Sequence, residues 1–251
     1  MDPGLLTGGL ATAGLPSRWL LSAALNALLI APLRPLPILT RAGWLHAWIL
    51  GTLLGACLGW RGWLAVVLYL ALGSVVTKLG FAHKQALGIA EGRGGRRGPE
   101  NVWGSAATGA LLALAYPWPG APKALLLLGF VASFAAKLGD TMGSEIGKRW
   151  GRHTVGITSL RPVPPGTDGA VSLEGTLASL GGAVLFGAIA TALGLIPLAQ
   201  LAGLSLVAWG ATLLESLVGA ELQPRLPWLS NEAVNGLMTL MAAALAMVLL
   251  G

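Results

Sequence analysis

The stretch Gly175 to Leu214, GTLASLGGAVLFGAIATALGLIPLAQLAGLSLVAWGATLL, runs 40 residues without one Asp, Glu, Lys or Arg. A bilayer core takes roughly 20 apolar residues as one helix, so the segment is too long for a single span and divides at Pro197. The same ruler finds uncharged segments at 19 to 33, 42 to 60, 62 to 77, 101 to 122, 124 to 136 and 233 to 251. The expected spans are 18–34, 43–60, 62–80, 102–118, 122–140, 172–195, 198–219 and 231–250. Residues 3 to 17 are also uncharged but broken by Pro3, Pro16 and several glycines, and are open to a re-entrant or interfacial reading. The expected fold class is all-α: a polytopic membrane helical bundle of about eight spans, one integral-membrane domain over 1–251 with no soluble domain. Two cytoplasmic segments interrupt it, an Arg/Gly loop over 81–101 and a catalytic loop over 141–171.

Composition agrees. Of 251 residues 55% are hydrophobic and 10% charged, against roughly 25% charged in soluble domains, which excludes a soluble enzyme. The net charge of +6 comes from basic residues clustered between apolar runs, so nucleic acid is not the expected partner. The single Cys57 can build neither a disulfide framework nor a cysteine metal site and is read as packing.

Thirteen Lys and Arg fall on one side of the proposed topology, and only Arg18, Arg61 and Lys123 on the other. By the positive-inside rule both termini are non-cytoplasmic. Eight of ten tryptophans, Trp19, Trp44, Trp60, Trp63, Trp103, Trp118, Trp150 and Trp228, sit near span ends, as headgroup-level rings do. Asp2 stands where a signal peptide would carry a basic residue, and no Arg/Ser-rich transit segment is present. The expected compartment is a bacterial-type inner membrane.

Apart from Asp2, every acidic residue lies on the basic side: Glu91, Glu100, Asp140, Glu145, Asp168, Glu174, Glu215, Glu221 and Glu232. Charges beside spans are functional suspects, and this one-sided pattern suits a charged headgroup or nucleotide better than a relay across the bilayer. The loop Glu91-Gly92-Arg93-Gly94-Gly95-Arg96-Arg97-Gly98-Pro99-Glu100-Asn101 offers a phosphate cradle of glycine amides and arginines; a topology-setting positive loop is the plain alternative. On a helix, Lys137, Asp140, Thr141, Ser144 and Lys148 share one face, with Glu145 on its flank. Asp140 and Glu145 could hold Mg²⁺ on phosphates that Lys137 and Lys148 offset; against this stands a simple Lys137–Asp140 ion pair with a snorkelling Lys148.

The segment Arg161-Pro162-Val163-Pro164-Pro165-Gly166-Thr167-Asp168-Gly169 reads as a stiffened binding loop whose glycines permit turns that aim Thr167 or Asp168 at a ligand. Equally, it is an ordered turn before Ser172 as N-cap, with Glu174 in the first helical turn. Glu215 lies in an otherwise apolar span, and Asn231 and Asn235 share one face one turn apart. Ser230 and Glu232 can be explained as an N-cap and a first-turn charge. No histidine has metal-ligand spacing, and no Walker motif or Ser/His/Asp set is present.

The blocks Leu138-Gly139-Asp140-Thr141, Ser144-Glu145-Ile146-Gly147 and Arg161 to Ser172 resemble the multispanning membrane family, domain of unknown function ninety-two, that contains plant phytyl-phosphate kinase and animal transmembrane protein nineteen. Asn101-Val102-Trp103-Gly104, Glu215-Ser216 and Trp228 to Asn235 are similar to its other recurring blocks. The resemblance runs from about residue 19 to the end and implies a CTP-using kinase that converts an isoprenoid monophosphate, phytyl phosphate, to the diphosphate. A more distant similarity links Asp140 through His153, and Glu174-Gly175, to dolichol kinases and CDP-diacylglycerol synthases, which also use CTP and Mg²⁺. The compact Lys-Thr-x-Glu-Gly of those families is absent, which disfavours cytidylyl transfer.

The expected activity is therefore phosphoryl transfer. Asp140 and Glu145, joined by Asp168 or Glu215, hold Mg²⁺; Arg93, Arg96, Arg97, Lys137 and Lys148 neutralise phosphate. Asn101, Ser144, Arg161, Gly166, Thr167, Gly169, Glu174, Asn231 and Asn235 complete the nucleotide and phosphate site. The rivals are a lipid-phosphate or anion transporter, weakened by the lack of an evident inverted repeat, and a membrane scaffold, which leaves Asp140 and Glu215 unexplained.

Overall fold

In the computed structural model, which describes residues 15–251, the helix Lys123–Trp150 has every residue from Leu128 to Gly139 buried. A helix buried all round over three turns sits inside a bundle, and the other spans pack about this one. The helices are α1 (Leu15–Ile30), α2 (Arg41–Lys78), α3 (Phe81–Ala86), α4 (Pro99–Ala115), α5 (Lys123–Trp150), α6 (Leu173–Ala192), α7 (Leu201–Glu221) and α8 (Asn231–Leu250). One two-stranded antiparallel ribbon, β1 (Val155–Gly156) with β2 (Ala170–Val171), pairs Val155 with Val171.

Alpha-2 holds two passes. Gly59, at φ 71° and ψ −167°, breaks the helix. Arg97 then lies against both Gly43, where a Cβ would meet its carbonyl oxygen at 2.5 Å, and Gly73, where one would meet Nη2 at 2.8 Å. Thirty residues of straight helix would span about 45 Å, so the arms double back, as the expected spans 43–60 and 62–80 require. Among the described residues, five helical segments are long and apolar enough to cross a membrane: α2, α5, α6, Leu198–Arg225 around α7, and α8. The reversal in α2 adds a sixth pass, and the 16-residue α1 and 17-residue α4 take the other two expected positions.

Boundaries shift for local reasons. Alpha-1 starts earlier than expected because Pro16 is tolerated in a first turn, and Pro32 enters a short 3₁₀ turn at its end. The re-entrant reading of residues 3 to 17 lies almost wholly outside the described residues. Alpha-5 continues to Trp150, so the loop expected over 141–171 begins at Gly151; the segment 81–101 likewise contains α3 and the first turn of α4. Trp44 is buried and Trp63 donates to the buried Asn26 at 3.0 Å, so these two rings pack into the bundle.

The extension of α5 follows from its glycines. Gly139, Gly143 and Gly147 form one ridge against Gly175, Ser179 and Gly182 of α6, and small residues allow backbones this close. A Cβ on Gly182 would lie 2.9 Å from both Gly139 Cα and Leu138 O. Both are backbone atoms, so no rotamer relieves the clash. Gly182→Val is expected to cost about 2–3 kcal/mol, read as a lowered thermal midpoint in detergent. Gly181→Val, at a neighbour with open space around it, should change the midpoint little; equal effects would contradict this packing.

The charged loops gather at one end of the bundle. The opposite end holds the α2 reversal and the α6–α7 turn, where Gly194 lies against the Arg61 guanidinium. Beneath the charged end, Phe130, Phe134 and Phe186 are buried, with Phe134 meeting Phe130 edge-on at 5.1 Å and Phe186 at a tilt at 5.9 Å.

Candidate functional site

A cavity of about 480 Å³ opens at the charged end. All the residues expected at the site line it except Arg161 and Glu174. Arg161 is exposed beyond Leu160, a strained residue at φ 53°, which turns the chain away from the cavity. Glu174 receives the Arg152 backbone N–H at 3.4 Å, outside the cavity wall. These two expected phosphate ligands therefore stand apart from the residues the cavity brings together.

One wall is the polar face of α5. Lys137 Nζ donates to Asp140 Oδ2 at 2.5 Å and to Asn235 Oδ1 of α8 at 3.0 Å. Thr141 and Ser144 bond back to carbonyls of their own helix. Glu145 lies five residues from Asp140, about 140° around the helix, and its carboxylate faces two lysines: Lys84 of α3, with which it pairs directly, and Lys148 at 3.7 Å. Asp140 and Glu145 share the cavity but pair with different lysines, Asp140 with Lys137 and Glu145 with Lys84. The carboxylate expected as a metal ligand beside Asp140 is thus engaged by lysine in this structure.

The Arg/Gly loop forms the second wall. Arg93, at φ 55°, pairs with Glu100 and donates to Asn101 Oδ1 at 2.8 Å. Asn101 also accepts from Gly98 N at 2.9 Å, closing the first turn of α4, and its Nδ2 reaches Glu232 at 3.1 Å. The Arg97 backbone is tied to Ile38 O and Thr40 N, both at 3.0 Å, and its Nη1 donates to the Tyr69 hydroxyl at 2.9 Å. Arg96 Nε reaches only the Arg93 carbonyl. Lys148 joins this wall to α5 through Glu91 at 3.4 Å.

Facing it, the Pro-Pro-Gly-Thr-Asp-Gly turn is framed by the β1–β2 ribbon. Gly166 at φ 87° packs on Ile89 of the Arg/Gly loop, so the two loops meet across the cavity, and Gly169 at φ 71° rests on Ala220 and Ser216 of α7. A side chain at Gly169 would strike that helix. Thr167 Oγ1 donates to Pro164 O at 2.8 Å, and Asp168 is exposed. Ser172 caps α6 by accepting from Gly175 N at 3.1 Å, and Ser230 caps α8 by accepting from Ala233 N at 3.2 Å.

Charge in the cavity is separated. No basic group lies within 4.0 Å of Asp168 or Glu215, and no acidic group within 4.0 Å of Arg96 or Arg97, among the described residues. Glu215 instead feels the charges of Asp140, Lys137 and Asp168. Among the described residues no group of three or more His, Cys, Asp or Glu forms a metal cage by itself. One wall therefore carries uncompensated carboxylates and another uncompensated guanidinium groups.

Sequence reading missed Lys84, the most deeply buried of the cations, and Tyr69; nothing local distinguishes the first from a topology-setting lysine or the second from a core aromatic. Glu91 and Glu232 also line the cavity.

Helical spans round a charge-lined cavity at one end define a multi-pass membrane protein with a polar site. The match to the model of the family described as integral membrane protein DUF92 covers residues 24–243, and the chain belongs to that family. It is 50% identical to an uncharacterised membrane protein of Synechocystis sp., over 91% of this chain and 90% of the relative. It is 42% identical to Protein VTE6, chloroplastic, of Arabidopsis thaliana, over 85% of this chain and 67% of that protein. An uncharacterised membrane protein of Methanocaldococcus jannaschii is 28% identical over 80% of this chain and 81% of its own. No solved structure matches.

Proposed function

We propose that this protein is a CTP-dependent kinase converting an isoprenoid monophosphate, phytyl phosphate, to the diphosphate, in salvage of phytol for tocopherol, phylloquinone and chlorophyll. The charge separation across one cavity carries the reading: a nucleotide triphosphate with its divalent cation presents both signs at once. The motif resemblance to the family of plant phytyl-phosphate kinase supplies the substrate class, and kinship to a chloroplastic plant protein is consistent with it.

The donor set fits Mg²⁺, which keeps several waters and takes one or two carboxylates plus substrate phosphates rather than a full protein cage. Asp140, Asp168 and Glu215 would hold it, and when bound it supplies charge neutralisation on the phosphates. Arg93, Arg96 and Lys148 receive the nucleotide phosphates, Gly166 and Gly169 shape the turn that carries Thr167 and Asp168, and Asn231 orients the nucleotide. Lys137, fixed by Asp140 and Asn235, faces the transferred group. Such transfer needs positioning and electrostatics more than covalent participation, and the acceptor phosphate is already anionic. The cavity end is taken as cytoplasmic, with the termini opposite, in a bacterial inner or thylakoid membrane.

The buried, packed rings of Phe130, Phe134 and Phe186 beneath Lys137 favour chemistry at one face over a path across the bilayer. Purified protein in nanodiscs with CTP, Mg²⁺ and phytyl phosphate is expected to yield phytyl diphosphate, resolved by chromatography. Movement of phytyl phosphate between leaflets of proteoliposomes, with no diphosphate formed, would replace the kinase with the transporter.

A further inference from the structure

The least exposed arginine of the Arg/Gly loop has a support that no motif announces. Arg97 reaches down α2 to Gly73 and Tyr69, five and nine residues inside the Lys78 end, or about 8 and 14 Å along the helix. Arg93 and Arg96, by contrast, are exposed at the mouth. The guanidinium lies 5.7 Å over the Tyr69 ring, donates to its hydroxyl, and has no carboxylate within 4.0 Å among the described residues. The Tyr69 ring packs on Phe134 at 5.3 Å. Lys137 lies within electrostatic reach of both Arg97 and Tyr69. Lys137 is paired with Asp140 and has Glu215 within electrostatic reach, whereas the Arg97 charge, held on a phenol in an apolar setting, is left without a carboxylate partner among the described residues, where an anion is strongly favoured.

We infer that this floor, formed by Arg97 and Lys137 around Tyr69, is the subsite for the acceptor's phosphate monoester, while the nucleotide occupies the exposed mouth at Arg93 and Arg96. The inference rests on the kinase reading for its substrates and deepens it. Polarity divides the two ligands: a lipid phosphate must keep its tail in the bilayer and so meets cations at membrane depth, whereas a water-soluble nucleotide enters from the loops. Tyr69 is a positioning residue. Its oxygen fixes the Arg97 fork, leaving the remaining N–H groups for a phosphate.

The test is equilibrium binding of phytyl phosphate and, separately, of CTP with Mg²⁺ to the full chain in nanodiscs, with KM values for both wherever turnover is seen. Arg97→Met should weaken phytyl phosphate about a hundredfold and Tyr69→Phe about tenfold, the loss of a hydrogen bond to a charged group, with CTP affinity within twofold of wild type. Tyr69→Phe keeps the ring and its packing, so it reads out the subsite even if Arg97→Met fails to fold. Weakened CTP binding, equal loss of both ligands, or no loss would overturn the inference. Displacement of phytyl phosphate by an equal concentration of inorganic phosphate would also overturn it, by making the floor a site for free anion. Absence of diphosphate with the binding split intact would instead remove the kinase reading and leave the subsite standing.

Discussion

Asp140→Asn is expected to lower the turnover of phytyl phosphate by about a thousandfold or more, the scale seen when one charged group that stabilises a phosphoryl-transfer transition state is removed. Asp140 accepts from the Lys137 ammonium at 2.5 Å and lies within electrostatic reach of Glu215. Its loss leaves Lys137 held by Asn235 alone and takes a hard oxygen ligand from the place where the cation must meet the nucleotide. The asparagine amide retains the shape of the carboxylate, so the folded state should persist, which the thermal midpoint reports. Kinetics at rising Mg²⁺ separate the causes: a metal role predicts that part of the lost rate returns at high Mg²⁺. Wild-type turnover by the variant would refute the metal assignment.

Lys84→Met should produce the largest loss of stability, about 3–5 kcal/mol, because removing one partner of a buried pair strands the other charge. Lys84 is fully buried, donates to Thr77 O at 2.9 Å and pairs with Glu145, itself 3% exposed. The second lysine near Glu145 stands at 3.7 Å and is shared with Glu91. Since α3 is only six residues long, this pair is what seats it, and with it the base of the Arg/Gly loop, on α5. The double variant Lys84→Met with Glu145→Leu should recover most of the loss, since an apolar pair of similar volume replaces a buried ion pair at little cost. Unfolding in detergent measures both, and a single variant within about 1 kcal/mol of wild type would contradict the role given to the pair.

The spans were legible because charge spacing is a direct consequence of the hydrocarbon thickness: α8 occupies Asn231–Leu250 as expected, and the chain turns at Pro197. Local chemistry also placed the Ser172 and Ser230 caps. The polar face Lys137, Asp140, Thr141, Ser144 and Lys148 was readable for the same reason, since helical periodicity depends on neighbours alone. What escaped depends on distant pairing. The reach of α5 past residue 140 follows from glycines on α6, and the fate of Glu145 from a lysine 61 residues away. Tyr69 looked like a core aromatic until Arg97, 28 residues on, proved to lie across it. Arg161 looked like a cavity arginine because its motif is contiguous with Gly166 to Gly169, but a left-handed Leu160 directs it elsewhere.

The central claim, that this cavity moves the terminal phosphoryl group of CTP onto a lipid phosphate, is met most directly by following labelled CTP with purified protein, Mg²⁺ and phytyl phosphate. The prediction is that label from the γ position enters the extracted lipid in equal amount to the CDP released, and that label from the α position stays in the aqueous phase. Label from the α position in the lipid would mean cytidylyl transfer, and no label in the lipid from either position would contradict the account outright.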